Sequence, residues 1–389
     1  MTCEVDISKY ESMIEQLITD GMDGVANVLV TLLNEAMKID RSRHIQARAY
    51  ERSDYRDGYA NGYKPKTVQS RLGKLEVQVP QVRASEQPFY PASLEKGLRS
   101  ERALKAAIAE MYIQGVSTRR VQAITKELCG FEVSSSQVSR VTQELDKQLD
   151  IWRNQPIGEV VYLIIDARYE KVRYAGKVID NAVLTAYGVN PNGEKRILGT
   201  SVSLSENEVH WRQFLESLVS RGMHGLKLVI SDAHSGLKAA RKAVFPSVPW
   251  QRCQFHLQQN AQAYVPKKSM KETVASNIRD VFNAPSLDDA KTHLAKLIKK
   301  YESIAPELSQ WMEENIQEGL TIFSYPREHW KKMRTSNLAE RCNKEIKRRT
   351  KVVGIFPNME SCLRLISAIL MEIDEEWIQG RRYLRCDIN

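Results

Sequence analysis

Three acidic residues, Asp166, Asp232 and Glu340, have the residue type and surroundings expected of a metal-dependent active site. Asp166 follows an apolar run at residues 160–165, and Asp232 follows a second, largely apolar run at residues 226–231. An acid directly after a buried strand lies where a sheet meets solvent, and it needs a partner or an ion there. Three carboxylates that converge at such an edge can hold divalent cations. The pattern therefore predicts the core of a metal-dependent nuclease.

Two of these acids also have a purely structural explanation. Asp232 could cap the helix that follows it, and Glu340 could close a capping box with Asn337. Asp166 has no comparable role, because it directly follows strand-forming residues. In the helix that carries Glu340, Glu345 lies nearer the apolar face, at about 100° per residue. Periodicity alone therefore does not choose between these two glutamates.

The composition favours a multidomain protein that binds an acidic polymer. The chain has 389 residues, with 57 Lys and Arg against 48 Asp and Glu, and a formal net charge of +9. This length supports two or three domains, and the positive charge makes nucleic acid the leading partner. The six cysteines lack the spacing of a disulfide framework, and no apolar run is long enough to cross a bilayer. We therefore expect reduced thiols, no membrane partner and a cytoplasmic, nucleoid-associated protein.

The first part of the chain has the pattern of a helical region followed by a small sheet. Helical periodicity fills much of residues 1–54. Residues 55–99 are rich in glycine, tyrosine and arginine and contain the alternating pattern of a β-hairpin. This small sheet could be a solvated element or a DNA contact, and the pattern does not decide between them.

Residues 100–155 have the pattern of a helix-turn-helix DNA-binding domain. Ser117 would cap the first helix, Cys129 and Gly130 would form the turn, and Ser134 would cap the second helix. The side chains on the second helix that are able to contact DNA are Gln137, Ser139 and Arg140. Helix pairs of this kind are often only packing units, but the positive charge of the chain favours DNA binding.

Residues 156–254 and 321–389 are predicted to form an α/β catalytic domain with a ribonuclease-H-like core. The order is three strands, a helix over 208–220, a strand, and a helix over 235–244. In such a sheet the strands that precede Asp166 and Asp232 are neighbours. The interval from Asp232 to Glu340 is far longer than this fold needs, and its helical periodicity predicts an all-α insertion domain over residues 255–320.

Several longer motifs resemble the DDE transposases of bacterial insertion sequences related to the Mutator elements. The three that contain the acids are residues 166–173, 231–237 and 334–343. Cys253 and His256 match the C-x-x-H signature of that superfamily, and residues 55–59 and 115–119 are similar to its N-terminal patterns. The resemblance extends over nearly the whole chain.

The resemblance implies a DDE triad that cuts and joins DNA. Asp166, Asp232 and Glu340 would hold two Mg²⁺ ions, roughly 4 Å apart, for which Mn²⁺ could substitute. The partners would be double-stranded DNA, as terminal inverted repeats and as target, and further copies of the chain in at least a dimer. The basic residues implied to grip DNA are Arg119, Arg341, Lys344, Lys347, Arg348 and Arg349.

Three further residues, Cys253, His256 and His234, are candidates for supporting roles at the site. A zinc site at Cys253 and His256 would need a second pair of ligands, and none has suitable spacing. In the family this pair lies near the end of the fifth strand, and we expect it to position DNA or the catalytic sheet. His234 is expected to support Asp232 rather than to bind metal.

Two other functions fit parts of the pattern. A helix-turn-helix regulator without catalysis would use the acids as caps and ion-pair partners. A ribonuclease-H-like nuclease or resolvase would use the same triad, but it would need neither the helix-turn-helix region nor the long insertion.

Overall fold

The structure is a computed structural model that describes residues 7–70, 72–94, 102–129 and 132–384. The chain divides into two compact units, Met1–Gln143 and Glu144–Asn389, which are described separately below. Cys3, Cys386 and the predicted turn residue Gly130 lie outside the described residues. No helix among the described residues is long and apolar enough to cross a membrane.

The first unit begins with two helices and a β-hairpin. They are α1 (Ile7–Asp20), α2 (Val25–Ile45), β1 (Tyr59–Ser70) and β2 (Gly73–Arg83). The two strands pair antiparallel, and a small core of Met37, Val77 and Val79 packs α2 against β2. The predicted helices and hairpin are therefore confirmed, and α2 extends to Ile45, beyond the periodic residues that predicted it.

Three further helices complete the first unit: α3 (Arg102–Ile113), α4 (Thr118–Cys129) and α5 (Ser135–Gln143). Their shared core includes Ile108, Val121 and Val138. Leu128, an apolar residue near the end of α4, is 73% exposed. Thr125 is buried in α4, and this is possible because its hydroxyl donates hydrogen bonds to backbone oxygens of the preceding turn.

The second unit is built on one mixed five-stranded sheet. Its strands are β3 (Tyr162–Tyr174), β4 (Lys177–Val189), β5 (Lys195–Ser203), β6 (Leu228–Ser231) and β7 (Trp250–Arg252). They lie in the order β5-β4-β3-β6-β7. The first three form an antiparallel meander, whereas β6 is parallel to β3 and β7 is parallel to β6. The predicted α/β character is confirmed, and β3 lies at the centre of the sheet.

Strand β3 is longer than its apolar run predicts. The strand continues from Asp166 to Tyr174, so the prediction that Asp166 directly follows a strand is wrong. The extension pairs with β4 through a tight turn at Ala175 and Gly176, whose positive φ angles of 47° and 79° suit the twist of a hairpin. Its other edge bonds to the backbone of Phe356. The extension contains charged residues, so a search for apolar runs does not find it.

Helices cover both faces of the sheet. On one face, α7 (Glu208–Ser220) and α8 (Ser235–Val244) pack on Leu163, Ile165 and Leu184, and both helices have the bounds predicted from sequence. Because side chains alternate along a strand, Asp166 belongs to the opposite face. That face carries α14 (Asn337–Thr350) and α15 (Met359–Gln379).

The segment between β7 and α14 is helical. It contains α9 (Gln254–Ala261), α10 (Lys271–Phe282), α11 (Leu287–Glu302), α12 (Pro306–Asn315) and α13 (Arg327–Met333). Helices α9 to α12 enclose a hydrophobic core of their own that includes Ile278, Leu294 and Met312. The helical periodicity of this segment therefore reflects a separately packed group of helices.

A buried carboxylate, Asp374, joins α15 to the sheet and to α6 (Asp146–Arg153). Asp374 is 1% exposed. It accepts hydrogen bonds from the Ile197 backbone N–H at 2.7 Å, from Arg196 at 3.0 to 3.2 Å and from the Trp152 indole at 3.4 Å. Helix α15, which packs on β5 and β3, is therefore fixed by a polar network as well as by apolar packing.

We predict that Asp374→Ala lowers the free energy of unfolding of the second unit by about 3 kcal/mol, because it leaves buried donors and an arginine without their acceptor. Asp374→Asn keeps the shape and one acceptor oxygen and should cost less. Urea unfolding followed by circular dichroism measures both variants. Equal stability of Asp374→Ala and wild type would contradict this role.

Candidate active site

Asp166 lies on β3 next to a stretch of open strand edge. Strand β6 pairs with β3 only as far as Ile164, and α14 packs beyond that point. The Asn343 side-chain amide donates a hydrogen bond of 2.6 Å to Asp166 Oδ2, and the Arg168 guanidinium donates one of 2.6 Å to the Asn343 backbone oxygen. These two bonds attach α14 to the part of β3 that carries the acid.

Burial raises the pKa of the Asp166 carboxyl to about 7. The nearby positive charge of His256 and hydrogen bonds from the Ala167 backbone and Asn343 act in the opposite direction, and the negative charge of Asp232 adds to the rise. Asp166 is therefore an acid whose charged form is poorly solvated by the protein alone. A cation at this point would restore the charged form.

Asp232 follows directly after β6, the parallel neighbour of β3. Its Oδ1 accepts a hydrogen bond of 2.7 Å from the Ala233 N–H. The N-cap position of α8 is His234, so the capping role considered for Asp232 is not the one it has. The His234 ring lies 3.8 Å from Glu206, which makes Glu206 the carboxylate that His234 pairs with.

Cys253 and His256 lie immediately after β7, beside the two aspartates. Burial raises the pKa of the Cys253 thiol, but the hydrogen bond and charge of His256 and the hydrogen bond of Ser336 outweigh it, and the net pKa is lowered. Burial lowers the pKa of His256, but Cys253 and the charges of Asp232 and Asp166 raise it to about 9. His256 therefore contributes a positive charge beside the acids at neutral pH.

Cys253 also connects this strand end to the start of α14. The backbone N–H and the hydroxyl of Ser336, the N-cap residue of α14, each donate to the Cys253 sulfur at 3.3 Å. The backbone N–H of Gln254 donates to the Arg334 oxygen at 3.0 Å. Sequence reasoning left the role of the cysteine open, and its position is that of an anchor for the helix that carries Glu340.

Glu340 lies in the first turn of α14, and its Oε1 is buried without a hydrogen-bond partner among the described residues. The side chain therefore does not close the capping box with Asn337 that was considered as an alternative. Residues three apart share one face of a helix, so Glu340 lies on the same side of α14 as Asn343, which contacts Asp166. A buried carboxylate oxygen without a donor is a position that a cation can satisfy.

Glu345, the competing glutamate, has a different environment. Its carboxylate accepts hydrogen bonds from Arg348 at 2.6 and 2.9 Å and from Arg349 at 2.7 Å. These arginines, chiefly through the Arg348 hydrogen bond, lower the pKa of Glu345 to about 2. Glu345 is therefore occupied by ion pairs within and beside α14.

The donor set around Asp166 fits a hard divalent cation such as Mg²⁺, which prefers carboxylate oxygens. The fit rests on the poorly solvated Asp166 carboxyl and on the unpartnered Glu340 oxygen. In the described parts of the chain, no three His, Cys, Asp or Glu side chains gather closely enough to enclose an ion. The structure thus brings Asp166 and Asp232 into electrostatic contact and leaves Glu340 on the adjoining helix face.

The basic residues of α14 divide into two groups. Arg341, Lys344, Lys347 and Arg348 are exposed. Arg349 is buried and donates to Glu345 and, at 2.5 Å, to Glu372. The prediction that Arg349 grips DNA is therefore wrong, because its guanidinium is enclosed by two carboxylates of its own unit.

Most of the predicted DNA-contacting residues of the first unit are exposed. Arg119, Ser139 and Arg140 are accessible on α4 and α5. Gln137 has a capping role: its Oε1 accepts from the Ser134 backbone N–H at 2.7 Å, while the Ser134 hydroxyl accepts from the Gln137 backbone N–H at 3.2 Å. This is a capping box, and the Ser-x-x-Gln spacing could have identified it.

Asn343 is the residue at the site that sequence reasoning missed. Its position three residues after Glu340, within one of the motifs that contain the acids, was the available signal. An amide side chain does not act as an acid or a base, so a search for such groups does not find it. Nothing in the sequence indicates that Asn343 contacts Asp166, which lies far away along the chain.

The comparisons with known proteins show the family to which the chain belongs. The family model for "Transposase, Mutator family" matches residues 2–380. The chain belongs to the Mutator family of transposases.

Three relatives illustrate how far the similarity extends. The transposase for insertion sequence element IS406 of Burkholderia multivorans is 50% identical over 99% of both chains. The transposase for ISRM5 of Rhizobium meliloti is 41% identical over 96% of this chain and 94% of its own. The transposase for IS256 in transposon Tn4001 of Staphylococcus aureus is 36% identical over 97% of both chains. The similarity thus covers both compact units.

We predict that Asp166→Asn stabilises the protein in the absence of divalent metal, and more so at high pH. The unfolded carboxyl ionises near pH 4, whereas the folded one ionises near pH 7. Ionisation of this carboxyl therefore opposes folding more strongly as the pH rises between these values. It lowers the free energy of unfolding by about 4 kcal/mol above pH 7 and by less than half of that at pH 5.

Thermal unfolding in EDTA at pH 5 and pH 8 tests this sign. The gain in melting temperature from Asp166→Asn should be larger at pH 8, and Mg²⁺ should raise the melting temperature of wild type at pH 8 but not that of the variant. Glu345→Gln, which removes an already ion-paired carboxylate, should lower stability at both values. A pH-independent effect of Asp166→Asn would contradict the prediction.

Proposed function

We propose that this chain is a DDE transposase that cuts the ends of its insertion sequence and joins them to target DNA. The single observation that carries the proposal is the position of Asp166 on β3 and of Asp232 directly after the neighbouring strand β6, beside a helix whose Glu340 has a buried, unpartnered oxygen. Membership of a transposase family gives this arrangement its chemical context.

The proposed core is ribonuclease-H-like. The strand order β5-β4-β3-β6-β7, an antiparallel meander extended by two parallel strands, supports this assignment. The helix-covered sheet supplies acids from β3, from the end of β6 and from α14. We propose that two Mg²⁺ ions, or Mn²⁺ in their place, bind these acids and supply Lewis-acid activation of the attacking oxygen and stabilisation of the leaving oxygen.

The residues of the chain would position the reacting DNA. Asp166 and Asp232 would hold the ions from the sheet, and Glu340 would complete the site from α14. Asn343 would orient Asp166 through its 2.6 Å hydrogen bond. His256 would add positive charge next to the acids, where the scissile phosphate carries negative charge.

The first unit is proposed to recognise the terminal inverted repeats in double-stranded DNA. The exposed Arg119, Ser139 and Arg140 on α4 and α5 support this role, and we propose that the two helices act as a helix-turn-helix. We also propose that at least two copies of the chain act together, because two element ends must be cut in a coordinated way.

The two alternative functions are each disfavoured by one observation. A regulator without catalysis is disfavoured by the capping evidence, since neither Asp232 nor Glu340 has the capping role that such a reading needs. A nuclease without strand transfer is disfavoured by the full-length similarity to relatives named as transposases.

We predict that wild type with Mg²⁺ cleaves a duplex that carries the element end and transfers the 3′ end to a target duplex. Asp166→Asn, Asp232→Asn and Glu340→Gln should each lower both reactions by at least about 10³-fold, because each removes a ligand of the reacting ions. Binding of the duplex should change less than threefold. Gel electrophoresis of labelled strands measures both reactions, and a mobility shift measures binding.

Glu345→Gln is the matched control, because it makes the same chemical change five residues later on α14. It should retain cleavage and strand transfer within about tenfold at a temperature where it is folded. Loss of activity in Glu345→Gln with retention in Glu340→Gln would overturn the third assignment. Absence of Mg²⁺-dependent chemistry in wild type would overturn the proposed function.

A further inference from the structure

A basic cavity of about 620 Å³ lies beside α14 on a different side from Glu340. We call it the basic pocket. Its cations are contributed by β5, α13 and α14, and its aromatic rings by α15 and the segment after it. The residues that define it are Lys195, Lys331, Lys332, Arg341, Trp377 and Tyr383. Nothing in the proposed triad chemistry uses these rings or the lysines of β5 and α13.

Two of the four cations of the basic pocket, Lys195 and Lys332, lie over aromatic rings. The Lys195 ammonium lies 4.1 Å from the centre of the Trp377 ring and 5.6 Å from that of Tyr383. The Lys332 ammonium lies 4.8 Å from the Tyr383 ring centre. Aromatic faces orient ammonium groups without neutralising them, so the pocket keeps its positive charge.

The charges of the pocket act on one another. Burial lowers the pKa of the Lys195 ammonium. The charge of Cys342 acts in the opposite direction, and the neighbouring charges of Arg341 and Lys332 lower the pKa further. Of the two carboxylates that line the cavity, Glu345 is occupied by Arg348 and Arg349, and Glu376 is exposed at its rim. Three cations are thus held close together in a position where an anion would relieve their repulsion.

The wall that carries Tyr383 is fixed by a backbone contact. The N–H groups of Tyr383 and Leu384 donate to the Gly193 oxygen at 2.8 and 2.9 Å, and Lys332 donates to the Tyr383 backbone oxygen. Gly193 has a φ of 76°, and a Cβ there would lie 2.1 Å from the Leu384 oxygen. The segment that carries Tyr383 and Leu384 can therefore pack against the turn after β4 because residue 193 is glycine.

We propose that the basic pocket binds a phosphodiester group of the DNA strand that passes Glu340. Arg341 links the two places, because it follows Glu340 in α14 and points about 100° around the helix from it into the pocket. Lys195 and Lys332 complete a three-cation site of the size and sign that a phosphate requires. The inference rests on the proposed function and adds to it a fixed contact on the strand beside the reacting bond.

The test is a scan with neutral linkages. A duplex that carries the element end is prepared with a methylphosphonate at one linkage at a time, and binding by wild type, Lys195→Gln and the double variant Lys195→Gln with Lys332→Gln is measured at several salt concentrations. One linkage should weaken binding by wild type about tenfold and have no effect in the double variant. The slope of log affinity against log salt should become less steep by about 1 in the double variant.

Lys299→Gln is the matched control, because this exposed lysine on α11 lies outside the pocket and the substitution removes the same charge. It should leave the effect of every linkage unchanged, and Lys195→Arg should restore the wild-type pattern in the Lys195 series. Melting temperatures of all variants are measured to exclude unfolding.

The outcomes separate the pocket from the proposed function. If wild type binds the duplex and every neutral linkage weakens binding by the double variant as much as binding by wild type, the pocket proposal fails. The transposase proposal then stands. If inorganic phosphate stabilises wild type but not Lys195→Gln while no linkage effect is found, the pocket binds a free anion and the proposal is wrong. If wild type binds no DNA, both proposals fail.

Discussion

The hydrogen bond between Asn343 and Asp166 is the contact on which the geometry of the candidate site depends. It joins the central strand of the sheet to α14 and is reinforced by Arg168, which donates to the Asn343 backbone oxygen. The N-terminal end of the same helix is held by Cys253 through Ser336. Helix α14 is thus attached at two points, one on β3 and one after β7, and Glu340 lies between them in sequence.

The pairing of β3 with β6 places two like charges close together at an energetic cost. Asp166 and Asp232 repel each other, and burial disfavours the ionised form of Asp166. The positive charge of His256 offsets part of this cost, and the charges of the two acids raise the pKa of His256. On the proposed function, stability and chemistry are therefore in opposition at this edge of the sheet. Asp374, buried elsewhere in the same unit, has its own donors and does not share this conflict.

The larger elements could be predicted from sequence because apolar periodicity reports burial directly. Helices α7 and α8 have their predicted bounds, and the strands before Asp166 and Asp232 are neighbours as predicted. The extension of β3 was missed because its stability comes from pairing with β4 and from Phe356, not from apolar side chains. Long-range partners of this kind leave no periodic signal.

Single side chains were harder to predict than elements. Arg349 resembles its exposed neighbours in sequence, and only the position of Glu372 on α15 makes it an internal residue. Glu345 and Glu340 could not be separated by periodicity, and it is the arginines around Glu345 that distinguish them. Gln137 was assigned to DNA although its spacing from Ser134 already indicated a cap.

The position of α14 so late in the chain has a consequence for synthesis of the protein. The unit that ends at Gln143 is complete long before the ribosome reaches Glu340, whereas the acids on β3 and after β6 must wait for the helical insertion and α14 to be made. On the proposed function, a polypeptide interrupted before α14 would retain the DNA-recognising unit without the third acid. Such a fragment would occupy element ends without cutting them, so premature termination would limit transposition by the remaining full-length copies.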